Sequence, residues 1–269
     1  MQTPRYLAAA VAALVLVAGC DSTDAERTAP PLIAPASFDF DASFPEAAGA
    51  GANWTNAALR VGIVSVAVGA HLVIPSVATH AATQAEPTVV NGTWIWENTV
   101  PINNTPVTFR LEGTPAGQEI DWSMFISSSQ LIAGAAYDGF ELYDGTTTLD
   151  GRTGRWQLYY LIEDARTHVL TADFDVESDQ FAEVTYSIPE SNPNPDARGS
   201  SVLCRKAADV RLFDWHQEPE DFDHAVDWSA STHAGSIAAT NYNGGVRACW
   251  NGGLEDVPCD PAAVAGPGR

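Results

Sequence analysis

From Val89 onward, hydrophobic and polar residues alternate, as they do along half-buried β-strands. The clearest segments place apolar residues at every second position: Val107, Phe109 and Leu111, then Ile120, Trp122, Met124 and Ile126. Asn-Gly and Asp-Gly pairs, which supply the positive φ angles of tight hairpin turns, lie between such segments. They include Asn91-Gly92, Asp138-Gly139, Asp144-Gly145 and Asp150-Gly151. The pattern predicts an antiparallel meander of about nine to eleven strands.

A meander of that length tends to curl or close, because strand twist accumulates and open edges favour aggregation. We therefore predict a mainly β fold. Its antiparallel meander, residues 83–269, forms a strongly curved sheet or a barrel-like structure, with one N-terminal apolar helix packed against it.

Residues 53–82 lack the alternation and are apolar almost throughout between Val61 and Val77. We predict a helix here, because a segment that is apolar on nearly all sides is usually buried. Its small residues, Ala58, Gly62, Ser65 and Gly69, share one face, and an adjoining face carries Leu59, Ile63, Val66 and Val73. Hydropathy alone would also allow residues 57–77 to span a membrane. Arg60, His71 and Pro75 favour a core helix over a span, with His71 as a core or rim histidine.

Near the start of the chain, Arg5 precedes an apolar run from Leu7 to Ala18, which is too short to cross a bilayer. Small residues precede Cys20, so residues 1–19 are typical of a secretory signal peptide. Val17-Ala18-Gly19-Cys20 resembles the lipobox of bacterial lipoproteins. That resemblance implies cleavage before Cys20 and acylation of this residue with fatty acids such as palmitate. Residues 20–52, rich in Ala, Pro and acidic residues, then form a flexible, lipid-anchored tether.

The charge of the chain limits its partners. It has 34 acidic against 13 basic residues, a formal net charge of −21. Nucleic-acid binding is excluded because it needs clustered Lys and Arg, and electrostatic docking on anionic lipid is disfavoured for the same reason. We expect the protein in the cell envelope, held at a membrane by its N-terminal lipid and facing the periplasm or the cell surface. The sequence is compatible with an anchor in either the inner or the outer membrane.

Two further motifs carry a family resemblance. Residues 150–156, read as D-G-x-x-G-x-W, and residues 249–259, read as C-W-x-x-x-L-x-D-x-x-C, resemble segments of envelope lipoproteins of Bacteroidetes-like bacteria. The resemblance covers roughly residues 90–260. It implies a β-rich fold and an envelope location, and it implies no chemistry.

Three cysteines follow Cys20, and paired cysteines outside the cytoplasm are usually disulfides. We favour a bond between Cys249 and Cys259, which would close a loop around the Gly252-Gly253 turn. Cys204–Cys249 is the competing pair, and the remaining cysteine is expected to be a buried small side chain.

One segment, residues 214–224, concentrates imidazole and carboxylate groups that a transition metal or calcium can use. Its candidate ligands are His216, Glu218, Asp221, Asp223 and His224. Their spacing matches neither H-E-x-x-H nor an EF-hand loop, so a solvated acidic loop is the competing interpretation. We predict no cofactor.

No catalytic motif stands out. A G-x-S-x-G elbow is absent from the sequence, and the acid pairs Glu141/Asp144 and Asp173/Asp175 fit the solvent face of strands. The favoured hypothesis is a structural or interaction lipoprotein that binds an envelope protein partner. The alternatives are a carrier or sensor that holds an apolar small molecule within the sheet, and an enzyme acting on an envelope substrate.

Overall fold

The computed structural model describes residues 28–31, 44, 50–102, 104–132, 135–218 and 220–260, with side chains for all of these except 66–78, 131, 132 and 135. The predicted signal peptide, Cys20 and most of the predicted tether lie outside these residues.

One helix precedes all the strands of the described chain. It is α1 (Ala52–Ala82), and a short 3₁₀ turn lies at Pro195–Ala197 and another at Asn243–Gly245. The strands are β1 (Thr88–Val90), β2 (Thr93–Ile102), β3 (Thr105–Ala116), β4 (Glu119–Ile132), β5 (Ala135–Thr148), β6 (Thr153–Ile162), β7 (Ala165–Ser178), β8 (Phe181–Ser187), β9 (Ser201–Ala207), β10 (Val210–Gln217), β11 (Phe222–Ser229), β12 (Gly235–Ala239), β13 (Ala248–Trp250) and β14 (Asp256–Val257).

The strands form one sheet in which each strand pairs antiparallel with the next along the chain. The sheet has 14 strands in the order β1 to β14, which confirms the predicted mainly β, antiparallel meander. The predicted strand number was too low, because several short strands near both ends of the chain carry too few residues to show an alternation.

The predicted barrel-like or strongly curved form was wrong. The pairing order leaves β1 and β14 as separate edges, so the described sheet is open. Closure needs two edge strands long enough to share a ladder of hydrogen bonds, and here they are Thr88–Val90 and Asp256–Val257. Very short edge strands are one way in which open sheets limit edge-to-edge aggregation.

Where its side chains are described, the helix packs against the sheet with one face. Trp54, Ala57, Val61 and Val64 are buried against the sheet, whereas Leu59 and Ile63 are 60% and 48% exposed. The bulky face that the sequence suggested therefore points away from the core at these two positions, because the sheet covers α1 from one side. Among the residues searched, no helix has the length and hydropathy needed to cross a bilayer. The predicted core position of His71 lies outside the described side chains.

The helix α1 contacts strands near both edges of the sheet. The helix contacts β2, β3 and β4 near the first edge, and β12, β13 and β14 at the other. Near its C-terminus, Asn98 Nδ2 donates to Ala81 O at 2.9 Å, and the Thr79 and Tyr143 hydroxyl oxygens lie 2.6 Å apart. Burial raises the pKa of Tyr143 far above its usual range.

Aromatic side chains on the core face of the sheet contact one another. Trp122 is fully buried, its ring centroid lies 5.8 Å from that of Trp96 and 6.3 Å from that of Trp156, and its Nε1 donates to Thr147 Oγ1 at 2.9 Å. Tyr143 meets Trp156 edge to face at 5.1 Å. These aromatic residues therefore pack the core between the strands that carry them.

The D-G-x-x-G-x-W motif builds the β5–β6 hairpin. Asp150 Oδ1 accepts hydrogen bonds from Thr148 Oγ1 at 2.6 Å and from the Arg152 amide at 3.2 Å, while Gly151 has φ +71°. At Gly154, a Cβ would overlap the backbone oxygen of Thr146 and lie 2.7 Å from the Phe174 ring. The motif therefore specifies a tight turn followed by a close approach between strands.

Replacing Gly154 with alanine should lower the free energy of unfolding by about 2 kcal/mol, because the added methyl group forces strands and a core ring apart. Gly62→Ala is the matched control: a Cβ at Gly62 meets nothing within 4 Å, so this helical substitution should raise stability by about 0.5–1 kcal/mol. Urea unfolding followed by tryptophan fluorescence measures both. Equal stability of Gly154→Ala and the wild-type protein would contradict the close approach.

Candidate functional site at the helix clasp

The first turn of α1 is held by the far end of the chain. Gly51, which precedes the helix, has no side chain to cap it, and the Asp256 carboxylate takes that role. Asp256 Oδ2 accepts from the Ala52 amide at 3.1 Å, and Oδ1 accepts from the Asn53 amide at 2.9 Å. These are amides that a helix leaves without an internal partner, and the negative charge suits the positive end of the helix dipole.

Glycine is required at position 51 by this contact. A Cβ there would overlap the Asp256 carboxylate. The Gly51 amide donates to Leu254 O at 2.8 Å, so backbone and side chain both hold the start of the helix against the C-terminal strands.

A disulfide closes the loop that carries Asp256. The Cys249 and Cys259 sulfur atoms lie 2.07 Å apart, with the Cα atoms separated by 5.2 Å. This is the pair that the sequence favoured over Cys204–Cys249, and Cys204 is buried on β9, outside the bond. In the chain-entropy account, a loop of this length stabilises a fold by roughly 2–3 kcal/mol.

The other residues of the C-W-x-x-x-L-x-D-x-x-C motif also have structural roles. Trp250 is buried and its Nε1 donates to His233 O at 2.7 Å, while Leu254 is buried with φ +64°. Asn53 Nδ2 donates to the backbone oxygen of Cys249 at 2.8 Å, which joins the helix to the backbone of a disulfide-bonded cysteine. We call Gly51, Asn53, Cys249, Asp256 and Cys259 the helix clasp.

About two turns further along α1, Arg60 makes a second contact with the sheet. Its Nε donates to His224 Nδ1 at 3.2 Å and its Nη2 to Asn241 Oδ1 at 2.6 Å. His224 is buried on β11, and the centroid of its ring lies 4.9 Å from that of Trp215. Because Nδ1 accepts a hydrogen bond from a cation, the imidazole is neutral with its proton on Nε2. Burial, and then the charge of Arg60, lower the pKa of His224.

The structure brings three of the five candidate metal ligands together, His216, Asp223 and Glu218, but as hydrogen-bond partners of one another. His216 Nδ1 lies 2.9 Å from Asp223 Oδ1, and its Nε2 lies 3.2 Å from Glu218 Oε1. With a carboxylate at each nitrogen, the imidazole is positioned to carry both protons, which leaves no lone pair for a metal. The hydrogen bonds to Asp223 and Glu218 raise the pKa of His216.

The remaining two candidates lie elsewhere. His224 follows Asp223 on β11, so its side chain points to the opposite face of the sheet, where it meets Arg60. Asp221 lies in the β10–β11 turn with φ +54°. Within the described ranges, no group of three or more His, Cys, Asp or Glu residues is arranged to hold a metal ion.

Three of the four acids weighed for catalysis, Glu141, Asp144 and Asp173, pair with arginine. Arg155 Nε lies 2.6 Å from Asp173 Oδ1, and Arg166 Nη2 lies 2.7 Å from both Glu141 Oε2 and Asp144 Oδ2. The Arg166 guanidinium also stacks on Tyr159, 3.4 Å from its ring centroid. Arg155–Asp173 joins the neighbouring strands β6 and β7, whereas Arg166 on β7 reaches across β6 to the two acids of β5. Both sets of contacts therefore link strands of the sheet.

Comparison with known proteins found no matching family model, no similar curated protein and no similar solved structure.

Removal of the Asp256 carboxylate should destabilise the helix start. Asp256→Ala should lower the free energy of unfolding by about 1–2 kcal/mol, because two helix amides lose their acceptor. Asp256→Asn, which keeps one acceptor oxygen but no charge, should lose less. Hydrogen exchange at residues 52–55 measures the local effect, and unchanged exchange in the alanine variant would contradict the clasp.

The two histidines should give opposite pH dependences. The lowered pKa of His224 means that the unfolded chain binds its proton more readily than the folded chain, so this residue costs stability as the pH falls below about 6.5. The raised pKa of His216 adds stability that is fully present below about 6.5 and lost as the pH rises through the folded value.

Urea unfolding between pH 7.5 and 5.5 tests these signs. Relative to the wild-type protein, His224→Gln should gain stability as the pH falls, and the matched variant His216→Gln should lose it. Parallel pH profiles for the wild-type protein and His224→Gln would contradict the buried, neutral state of His224.

Proposed function

We propose that the protein is a lipid-anchored component of the cell envelope, of structural or interaction type. Acylated Cys20 holds it at a membrane, and the sheet, facing the periplasm or the cell surface, meets an envelope protein partner. The resemblance of its lipobox and of its two further motifs to those of envelope lipoproteins supports this placement.

The helix clasp is the observation that carries the proposal. Residues before the helix already pack against the core, among them Phe44, whose ring centroid lies 4.9 Å from that of Trp228. At Gly51 the backbone is held by Leu254, and the first turn of the helix by Asp256. Load transmitted through an N-terminal anchor falls on these contacts. A disulfide closes the loop that carries Asp256, and disulfides persist in oxidising compartments such as the periplasm and the cell surface.

The surface chemistry agrees with a structural or interaction role. Arginines pair with carboxylates of nearby strands: Arg205 on β9 lies 2.6 Å from Glu183 on β8, and Arg247, just before β13, lies 2.5 Å from Asp227 on β11. Guanidinium groups engaged in this way, in a chain of net charge −21, do not form the basic surface that nucleic acid needs.

Membrane partition of the full chain expressed in a bacterium tests the anchor. Cys20→Ser should abolish processing before residue 20 and move the protein from the membrane fraction to the soluble fraction, because the acyl chains supply the stable attachment. Cys204→Ser is the matched control and should leave partition unchanged, since Cys204 lies buried on β9. Mass spectrometry of the N-terminal peptide checks the acyl groups. Unchanged partition of Cys20→Ser would overturn the proposal.

A further inference from the structure

The meander divides its turns between two ends of the sheet. Because each strand runs antiparallel to the next, the turns that follow odd-numbered strands lie at one end and those that follow even-numbered strands at the other. The β13–β14 turn, residues 251–255, belongs to the first group and contains Leu254, which holds Gly51. We call this the clasp end of the sheet.

Exposed large apolar side chains of the sheet collect at the clasp end. Val90 precedes the β1–β2 turn, Leu149 lies in the β5–β6 turn, Phe181 begins β8 and Val210 begins β10. Their exposed fractions are 50%, 48%, 45% and 42%. We call these four residues the apolar rim.

Strand register places two members of the rim close together. Phe181 pairs with Ala207 on β9, and Ala207 pairs with Val210 on β10. Two strand spacings therefore separate Phe181 from Val210, about 10 Å. Leu149 lies in a turn of the same end, a few strands away. Single exposed apolar residues are ordinary on protein surfaces, whereas several along one end mark a contact surface.

The opposite end provides a natural comparison. Val246, 65% exposed, lies between β12 and β13, in a turn that follows an even-numbered strand. It is the large apolar residue that the described sheet exposes at that end.

The chain enters the body at the same end as the rim. Phe44, which precedes the helix, packs edge to face on Trp228 near the end of β11, close to the β11–β12 turn of the clasp end. Residues 20–43 lead from Cys20 to Phe44, and a chain of that length spans at most about 80 Å. An anchor on Cys20 therefore tethers the clasp end to the bilayer. Tethering of this kind gives an effective concentration in the millimolar range, at which a contact too weak to bind on its own becomes populated.

The charges near the rim indicate the type of lipid. Asp150, Asp179 and Asp209 lie in the same turns as the rim residues, and the whole chain is strongly acidic. Anionic lipid would repel this end, whereas apolar side chains partition into the interface of a zwitterionic bilayer without electrostatic attraction.

We propose that the clasp end is a membrane-contact surface, with Leu149, Phe181 and Val210 inserted at the interface of the bilayer that holds the lipid anchor, and with Val90 at its margin. The sheet then stands away from the membrane, and its other end is the one presented to the envelope. This proposal rests on the proposed function, because the anchor on Cys20 brings the rim to the membrane.

Fluorescence quenching on vesicles tests the contact. The full lipidated chain carrying Phe181→Cys is labelled with a thiol-reactive fluorophore and reconstituted in phosphatidylcholine vesicles that contain a nitroxide-headgroup lipid. Val246→Cys, labelled in the same way, is the matched control at the other end of the sheet. Cys204 is buried and the remaining cysteines of the fold form the disulfide, so the new thiol takes the label.

The label at residue 181 should be quenched at least about threefold more than the label at residue 246, because interfacial side chains lie about 5–10 Å deep in the headgroup region. Val210→Cys should behave like Phe181→Cys, which guards against a local effect of one label. Raising the fraction of anionic lipid in the vesicles should reduce the quenching at both rim positions.

Sedimentation of the same vesicles separates two failures. Protein that sediments with the vesicles but is quenched equally at residues 181 and 246 would overturn the membrane contact and leave the anchor intact. Protein that stays in the supernatant would overturn the anchor and the contact with it.

Discussion

The contact between Asp256 and the first turn of α1 is the constraint on which the architecture depends. In an open sheet of 14 strands, no pairing between the edge strands fixes their relative position. Here α1 links the two edges, because the same helix contacts β2–β4 near one edge and β12–β14 at the other. The helix can do this only if its start is fixed, and the bidentate Asp256 carboxylate, the Leu254 carbonyl and the disulfide fix it. Each is a polar or covalent bond placed where apolar packing ends.

The two faces of the sheet are stabilised by different interactions. On the core face, Trp96, Trp122 and Trp156 pack against one another, and the apolar residues of α1 cover part of the same core. On the other face, arginine–carboxylate pairs such as Arg155–Asp173 and Arg205–Glu183 cross neighbouring strands. Exposed pairs of this kind each contribute little to stability. Their larger effect is on register, because a shift of one residue would separate every pair at once and turn the tryptophans towards solvent.

The sequence predicted what depends on local pattern and missed what depends on distant contacts. Alternation at Val107–Leu111 and Ile120–Ile126 predicted the strands, and the Cys249–Cys259 pairing followed from a short loop. Asn91-Gly92 and Asp150-Gly151 correctly predicted hairpin turns, whereas Asp138-Gly139 and Asp144-Gly145 were wrongly read as turns and lie within β5. Closure was mispredicted because edge strands of two or three residues leave no pattern. Arg60 was noticed only as a charge that argued against a membrane span, and its partner His224 was grouped with acids of its own loop. Asp256 stood in a recognised motif, but the helix that it caps is about 200 residues away, a distance that no periodicity spans.

The separation between Asp256 and the helix that it caps also determines when the protein can finish folding. In the exported chain that we propose, the N-terminus crosses the membrane first, so α1 emerges before β12–β14. Until those strands arrive, the side chains of Trp54, Ala57, Val61 and Val64, which are buried in the folded protein, lack part of their cover, and the first turn of the helix lacks the Asp256 carboxylate. Under the proposed export, the fold is completed only with the last strands, and a chain stalled before β12 would leave this face of its helix exposed.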